Sequence, residues 1–346
     1  MNRGKNGDAF SQVREITGQL EQGVMELFES RKYKDYLTTM SKFHSYSHNN
    51  IMLIFQQKPD ATLIAGYSAW KTEHGRQVRK GSKAIKILAP APYRVRAIRD
   101  RTDPDTGKPV TDGNGNPIKE DVEVRKLAFK VVNVFDVSDT EGRELPSIGV
   151  SELSGDVEGY EDFFEALKRT CPVPIGSDAI SSGAKGYFSH TENKIVVRQG
   201  MHQVQTIKTV IHEMAHQRLH SEESPEYERD KPRNSMEVEA ESVAFTVCRH
   251  YGIDTSDYSF AYIAGWSEGK GLPELRGSLD MIRKTASEFI SRIDGHMADI
   301  TKERTARAEK NEKTSVLCRL HSGRETVKNT APDRTEQNHV KRRQER

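Results

Sequence analysis

The sequence predicts an α+β chain in two domains, residues 1–140 and 158–300, joined by a linker at 141–157 and followed by a disordered basic tail at 301–346. Three observations carry that expectation. Apolar residues recur at helical spacing near the N-terminus and again beyond residue 200, short apolar or alternating runs lie between them, and the last stretch is rich in charge and almost free of apolar side chains. At 346 residues the chain has room for more than one core, while 34% hydrophobic content and a mean hydropathy of −0.75 describe a polar protein. No apolar run approaches the roughly twenty residues that span a bilayer, and residues 1–6 lead into no signal-type segment, so no membrane partner is expected and the expected compartment is the cytoplasm. Cys171, Cys248 and Cys318 are odd in number and lie outside any C-x-x-C, which implies neither a disulfide framework nor a cysteine metal site.

Residues 8–30 read as a helix with Phe10, Val13, Ile16, Leu20, Val24, Leu27 and Phe28 on one face, and residues 34–43 and 48–57 as two shorter helices, the last ended by Pro59-Asp60. Residues 84–98 and 125–137 run or alternate apolar and are expected to pair as strands. Between them, Asp103-Pro104-Asp105-Thr106-Gly107 and Asp112-Gly113-Asn114-Gly115-Asn116-Pro117 form an exposed hairpin insertion. Beyond the linker come a helix at 160–170 and short strands near 173–175, 186–189 and 195–198. Residues 194–198 are expected to form an edge strand able to pair with an extended peptide. A last helix at 275–293 is expected to lie against the second domain.

His212-Glu213-Met214-Ala215-His216 is the most specific string in the chain. On a helix, residues four apart share a face about 6 Å apart along the axis, so both imidazoles can reach one tetrahedral ion. Ile207, Val210, Ile211, Met214, Ala215 and Leu219 supply the buried stripe that such a helix needs. His220 sits about 12 Å along the axis from His212, too far to join it on one ion, and reads as a helix-end residue. The third ligand is expected from the helix that contains Glu237 and Glu241, which are also four apart. Glu237 is placed as ligand and Glu241 as the acceptor that orients a ligand histidine, with the reverse assignment open. The chemistry implied is zinc-dependent amide hydrolysis with Zn2+ as cofactor and a protein substrate as partner. Three ligands leave a position for water, Glu213 acts as its base, and Tyr258 or Tyr262 is a candidate oxyanion donor.

The net charge of +2 is unevenly spread. Residues 302–346 hold 13 Lys+Arg against 7 Asp+Glu and end in Lys341-Arg342-Arg343-Gln344-Glu345-Arg346, the composition of a basic arm. A second concentration runs from Lys71 to Arg101, including Arg76, Arg79, Lys80, Lys83 and Lys86, opposed only by Glu73 and Asp100. Tyr46, Asn49, Asn50, Phe55, Gln56, Gln57, Tyr67 and Trp70 precede or adjoin it. Cations that track phosphates beside rings on which unstacked bases can lie suit single-stranded DNA, and Tyr46, Asn49, Asn50, Trp70, Arg76, Arg79, Lys80, Lys83 and Lys86 are the candidate contacts.

Ser45-Tyr46-Ser47-His48-Asn49-Asn50-Ile51, Lys58-Pro59-Asp60-Ala61-Thr62 and the string from Gly66 to Ile85 resemble the N-terminal single-stranded-DNA-binding domain of ArdC-type antirestriction proteins. Residues 185–250 resemble the metallopeptidase-like domain that follows it in that family, related in pattern to the ImmA/IrrE group. The resemblance implies a protein of plasmids or integrated mobile elements that binds single-stranded DNA and shields it from restriction. It leaves three readings in play: a DNA-binding antirestriction protein whose metal domain is structural, a zinc peptidase recruited or activated by single-stranded DNA, and a peptidase whose N-terminal domain binds protein. The intact Glu213 favours catalysis, and the string from Gly75 to Lys86 favours DNA as partner.

Overall fold

A computed structural model of the chain describes residues 3–29, 32–145, 157–181, 183–253, 258, 260 and 263–329. The N-terminal helices follow the apolar spacing. Helix α1 (Arg3–Glu29) buries Ile16, Leu20, Val24, Leu27 and Phe28, and α2 (Tyr33–Lys42) buries Tyr33, Tyr36, Leu37 and Met40. Helix α3 (His48–Gln57) begins where the Ser47 hydroxyl accepts the Asn50 N–H, and it buries Ile51, Met52, Leu53 and Ile54.

Strand β1 (Ile64–Gly66) leads into α4 (Tyr67–Thr72), followed by β2 (Arg76–Val78), β3 (Ile85–Pro90), β4 (Tyr93–Asp100), β5 (Lys119–Lys126), β6 (Phe129–Asp136) and β7 (Thr140–Gly142). β6 is the centre of an antiparallel sheet ordered β1-β6-β3, whereas β4 and β5 form a separate ribbon. The stretch 84–98, expected as one strand, is therefore two. Pro90 and Pro92 lack the N–H that would continue the ladder, and the chain leaves the sheet between them. The β7 strand pairs with β2 through Val78↔Thr140 to Arg76↔Gly142 and so reaches into the expected linker. Gly142, at φ 129°, is required there because an added Cβ would lie 2.7 Å from the Gly75 carbonyl. Most of that linker, residues 146–156, falls outside the described residues.

The outer edge of β3 is closed by side chains rather than by a strand. Asn50 donates to the Leu88 carbonyl and accepts the Leu88 N–H, both at 2.9 Å. One turn pair further along α3, Gln57 does the same for Lys86, again at 2.9 Å in both directions. Two amides thus mimic a neighbouring strand and leave no open edge at those residues.

The second half comprises α5 (Val157–Thr170), β8 (Ile175–Asp178), β9 (Gly186–Ser189), β10 (Lys194–Arg198), α6 (Gln203–His220), α7 (Arg233–His250), α8 (Ile263–Ser267) and α9 (Leu272–Asn329). Its sheet is ordered β8-β10-β9, so β10 is central and the expectation of an edge at 194–198 is corrected. Consecutive buried Ile195, Val196 and Val197 are the mark of a strand covered on both faces, and β9 is the edge instead. α6 lies along α7, and α9 lies against α5 and α7 as well as α1 and α3. One hydrophobic cluster runs through both halves, and the Tyr33 hydroxyl meets the Ser242 hydroxyl at 2.9 Å between α2 and α7.

The tail is also corrected in part. Helix α9 continues through the expected disordered stretch to Asn329, and residues 330–346 lie outside the described residues. High charge and few apolar residues argue for a solvated segment, but Ala, Lys, Glu and Arg are strong helix formers, and no proline interrupts them before Pro332. Arg169 on α5 pairs with Glu303, and Arg304 with Asp162, each at 2.9 Å, where the helix passes α5.

Candidate metal centre and candidate nucleic-acid surface

The α6 stripe Ile207, Val210, Ile211, Met214, Ala215 and Leu219 is buried, and that anchors His212 and His216 on the opposite side, partly open to solvent. Their Nε2 atoms are 3.0 Å apart. Glu237, in the first turns of α7, points Oε2 to 3.4 Å from both. Among the described residues these three alone form a cluster of convergent ligand atoms that could hold a divalent metal ion. The two imidazoles hold the Glu237 carboxyl well below the usual carboxylate range. Glu241, one turn on, lines the groove beside His212; burial opposes charge on that imidazole, but Glu237, Glu213 and, least of the three, Glu241 raise its pKa above the ordinary value.

Glu213 stands beside the cluster without joining it. Burial pushes its carboxyl above the ordinary value against the opposing pull of His212 and His216, and the Phe188 N–H donates to it. β9 comes this close because of Gly186, where an added Cβ would lie 2.6 Å from the Thr209 methyl, 3.0 Å from the Val196 carbonyl and 3.5 Å from Glu213 Cγ. Two grooves meet at Gly186, His212 and Glu213. One, of about 330 Å³, is bordered by Lys208, Glu241 and Tyr258, and the other, of about 440 Å³, by Tyr187, Met236 and Glu237. Tyr258 therefore faces the space beside Glu213, while Tyr262 lies outside the described residues.

His220 ends α6 and is buried, as its distance along the helix requires. Its Nε2 lies 3.2 Å from the Met236 carbonyl, and burial drives its pKa down to about 3. Beneath it, Glu239 is fully buried and pairs with Lys231 at 2.8 Å while accepting from Ser278 at 3.0 Å, which ties α7 to its preceding loop and to α9. Spacing alone could not reveal this buried pair, because Glu239 stands within the same acidic run as Glu237 and Glu241.

The expected DNA contacts separate into two groups. Trp70 is fully buried and donates its indole N–H to the Phe135 carbonyl at 2.9 Å, and Asn50 is buried in its clasp on Leu88. Both are corrected from surface contacts to parts of the framework. Tyr46 is half-buried edge-on to Phe43, and Asn49 is half-buried too. Arg76 spends its guanidinium on β7 and its exit, donating to the Thr140 hydroxyl at 2.7 Å, the Thr140 carbonyl at 3.0 Å and the Arg143 carbonyl at 2.5 Å. Arg79, Lys80, Lys83 and Lys86 are exposed along the connection from β2 into β3, with Arg79 also donating to the Ser138 carbonyl. Tyr67 is 57% exposed, Tyr93 47% and Phe129 49%; among the described residues these rings, not Trp70, are the open aromatics of this half.

Comparison with known proteins places the N-terminal half in a class. Residues 11–135 match the model of the family described as the N-terminal domain of anti-restriction factor ArdC, so this part of the chain is an ArdC-type N-terminal domain. The resemblance carried by the strings from Ser45 to Ile85 is thereby shown. An uncharacterized protein of Bacillus anthracis is 29% identical over 302 residues, which cover 79% of this chain and 50% of that protein, so the chain spans about half the length of this curated relative. Crystal structures of the antirestriction ArdC protein from the R388 plasmid, metal-free and Mn(II)-bound, align at 22% and 19% identity, each with a TM-score of 0.42. They cover 75% and 74% of this chain and 86% and 84% of theirs. No helix among the described residues is long and apolar enough to cross a membrane.

Proposed function

We propose that this protein binds single-stranded DNA as an antirestriction-type protein of a plasmid or other mobile element, acting in the cytoplasm, and that its C-terminal part, residues 158–300, is a zincin-like domain holding zinc. The observation that carries the first part is the coincidence of the ArdC-type match over residues 11–135 with four exposed cations, Arg79, Lys80 and Lys83 on the connection between β2 and β3 and Lys86 near the start of β3. Each phosphate they neutralise releases counterion, which favours a polyanion whatever its sequence. Tyr67 is the exposed ring nearest in sequence on which a base could lie.

A second reading, peptide hydrolysis, is favoured by Glu213. Two imidazole nitrogens and one carboxylate oxygen within reach of one point fit a tetrahedral ion that keeps an open position. When bound, the ion supplies Lewis acidity toward a water and a carbonyl. Glu213, buried beside the cluster with its pKa raised, is suited to take a proton and return it to a leaving nitrogen. β9 is an edge strand bordering both grooves, so an extended substrate could pair with its outer backbone groups other than the Phe188 N–H, which Glu213 holds, and Tyr258 could steady a developing oxyanion. A structural ion would need no such base.

Both readings are tested on one purified sample by metal analysis and by DNA binding. One equivalent of zinc is expected, with tighter binding to single strands than to duplex and an affinity that falls steeply with salt. Equal affinity for the two forms, or no dependence on salt, would remove the single-strand reading. Restriction protection in cells by wild type and by Glu213→Gln then separates the roles. Full protection by the variant assigns protection to DNA binding, and loss of protection with DNA affinity intact assigns it to proteolysis.

A further inference from the structure

A cavity of about 500 Å³ opens between α1 and α3. Its floor is apolar, made by Leu27, Met52 and Phe55, and its rim carries the amides of Gln19, Gln22 and Gln56 beside Lys32 and Glu26, to which Gln22 donates at 2.6 Å. A neighbouring hollow shares Gln19 and Gln57 with it and is lined at its far side by Lys86. Lys86, near the start of β3, thus borders a small hollow separated from the cavity by Gln19 and Gln57, which line both.

Gly23, at the wall of the cavity, makes room for the Gln56 side chain. It is buried in the middle of α1, where a glycine weakens a helix, yet an added Cβ would lie 2.1 Å from Gln56 Nε2 and 3.4 Å from Met52 Sδ. Gln56 in turn donates to the Gln19 carbonyl at 3.2 Å and bridges the two helices. Phe55 is only partly buried, edge-on to Tyr36 at 5.9 Å between ring centroids.

We infer that this cavity receives an unstacked nucleobase of the single strand whose phosphates follow Lys83 and Lys86, an inference that rests on the single-strand reading above. An apolar floor with one ring, rimmed by groups that both donate and accept, suits a flat heterocycle with polar edges better than a phosphate. Side-chain amides can pair with the edge of any base, so the site engages bases without demanding one sequence.

The test measures binding of the full chain to an oligothymidylate of about 12 nucleotides, within the usual site size of single-strand binders, and to the same strand with abasic positions. Base removal is expected to weaken wild type about tenfold for each engaged base. Gly23→Leu fills the cavity and is expected to lower affinity several-fold, with melting temperature retained and the slope of log affinity against log salt unchanged, because no phosphate contact is lost. Gln56→Ala, a change at an exposed residue with a single bridging bond, should act in the same direction and gives the answer should Gly23→Leu not fold. Lys83→Ala should instead reduce the salt slope by about one. Unchanged affinity in folded Gly23→Leu or in Gln56→Ala, beside a wild type that binds, overturns the pocket alone. An abasic strand bound as tightly as the intact one overturns it too and leaves the cavity to a peptide or another polar ligand. Absence of any single-strand binding by wild type removes the pocket together with the reading on which it rests.

Discussion

The candidate metal-ligand cluster and the basic connection are assembled by opposite means. His212, His216 and Glu237 are brought together by two helices whose buried stripes set which side chains face one another, and the cluster lies between them, partly open to solvent. Arg79, Lys80, Lys83 and Lys86 lie in and beside a turn and share little beyond exposure. Convergence on a point selects a compact ligand and is sensitive to one residue, whereas a string of exposed charges selects an extended polyanion and loses its function gradually.

The largest expected effect breaks the first region. His212→Ala should abolish metal binding outright, while His220→Ala should leave stoichiometry unchanged, because its Nε2 faces the Met236 carbonyl rather than the cluster. Glu213→Gln should retain the metal and the fold and lower any peptide hydrolysis on the order of a hundredfold. Metal analysis and a peptide-cleavage assay on the three variants check this. Metal lost in His220→Ala and kept in Glu237→Ala would reassign the ligand set.

Next in size are changes that sharpen the line between framework and surface. Trp70→Ala removes a fully buried indole and its bond to the Phe135 carbonyl, and should cost about 3–5 kcal/mol of stability. The triple substitution Arg79→Ala, Lys80→Ala and Lys83→Ala should leave the melting temperature nearly in place and flatten the salt dependence of DNA binding. A Trp70→Ala variant that stays fully stable but loses DNA would return that ring to the binding surface.

The difference between the regions also explains what could be read from the chain. Spacing of four on a helix is a local property, so the convergence of His212 with His216 and the exclusion of His220 follow from helix geometry alone. The choice between Glu237 and Glu241 depends on how α7 lies on α6, and spacing left it open. Aromatic, amide and cationic residues carry no comparable signature. Asn49 and Asn50 are neighbours of one type, yet only Asn50 meets the edge of β3, a contact 38 residues away. The same non-locality hid the break in 84–98, the central place of β10 and the pairing of Glu239 with Lys231.

A smaller effect concerns acid stability of the N-terminal half. Burial opposes ionisation of Asp136, but this is outweighed by the Ser138 hydroxyl and by the N–H groups of Thr62, Ser138 and Leu63, at 2.8, 2.9 and 3.1 Å, and its pKa lies below the ordinary value. A depressed folded pKa contributes stability that is full above the unfolded value, about 3.9, and is lost as pH falls through the folded one. Asp136→Asn should lower stability at neutral pH by about 1–3 kcal/mol and by less below about pH 3, read from urea unfolding at both pH values. An equal loss at both would show that ionisation of Asp136 is not what holds the turn.

The smallest expected effect divides two arginines three residues apart. Arg76 donates from all three guanidinium nitrogens to β7 and its exit, a fork that lysine cannot reproduce, whereas the exposed Arg79 guanidinium, among the described residues, donates to the Ser138 carbonyl alone. Arg76→Lys should therefore cost about 1 kcal/mol of stability and leave the salt slope of single-strand binding as it is. Arg79→Lys should keep both the stability and the slope, and Arg79→Ala should lower the slope by about one without moving the melting temperature. The two residues carry the same charge, so their contrast isolates position from composition. If Arg76→Ala and Arg79→Ala lower the slope equally, Arg76 reaches phosphate despite its bonds to β7, and the basic surface extends across β2 rather than beginning after it.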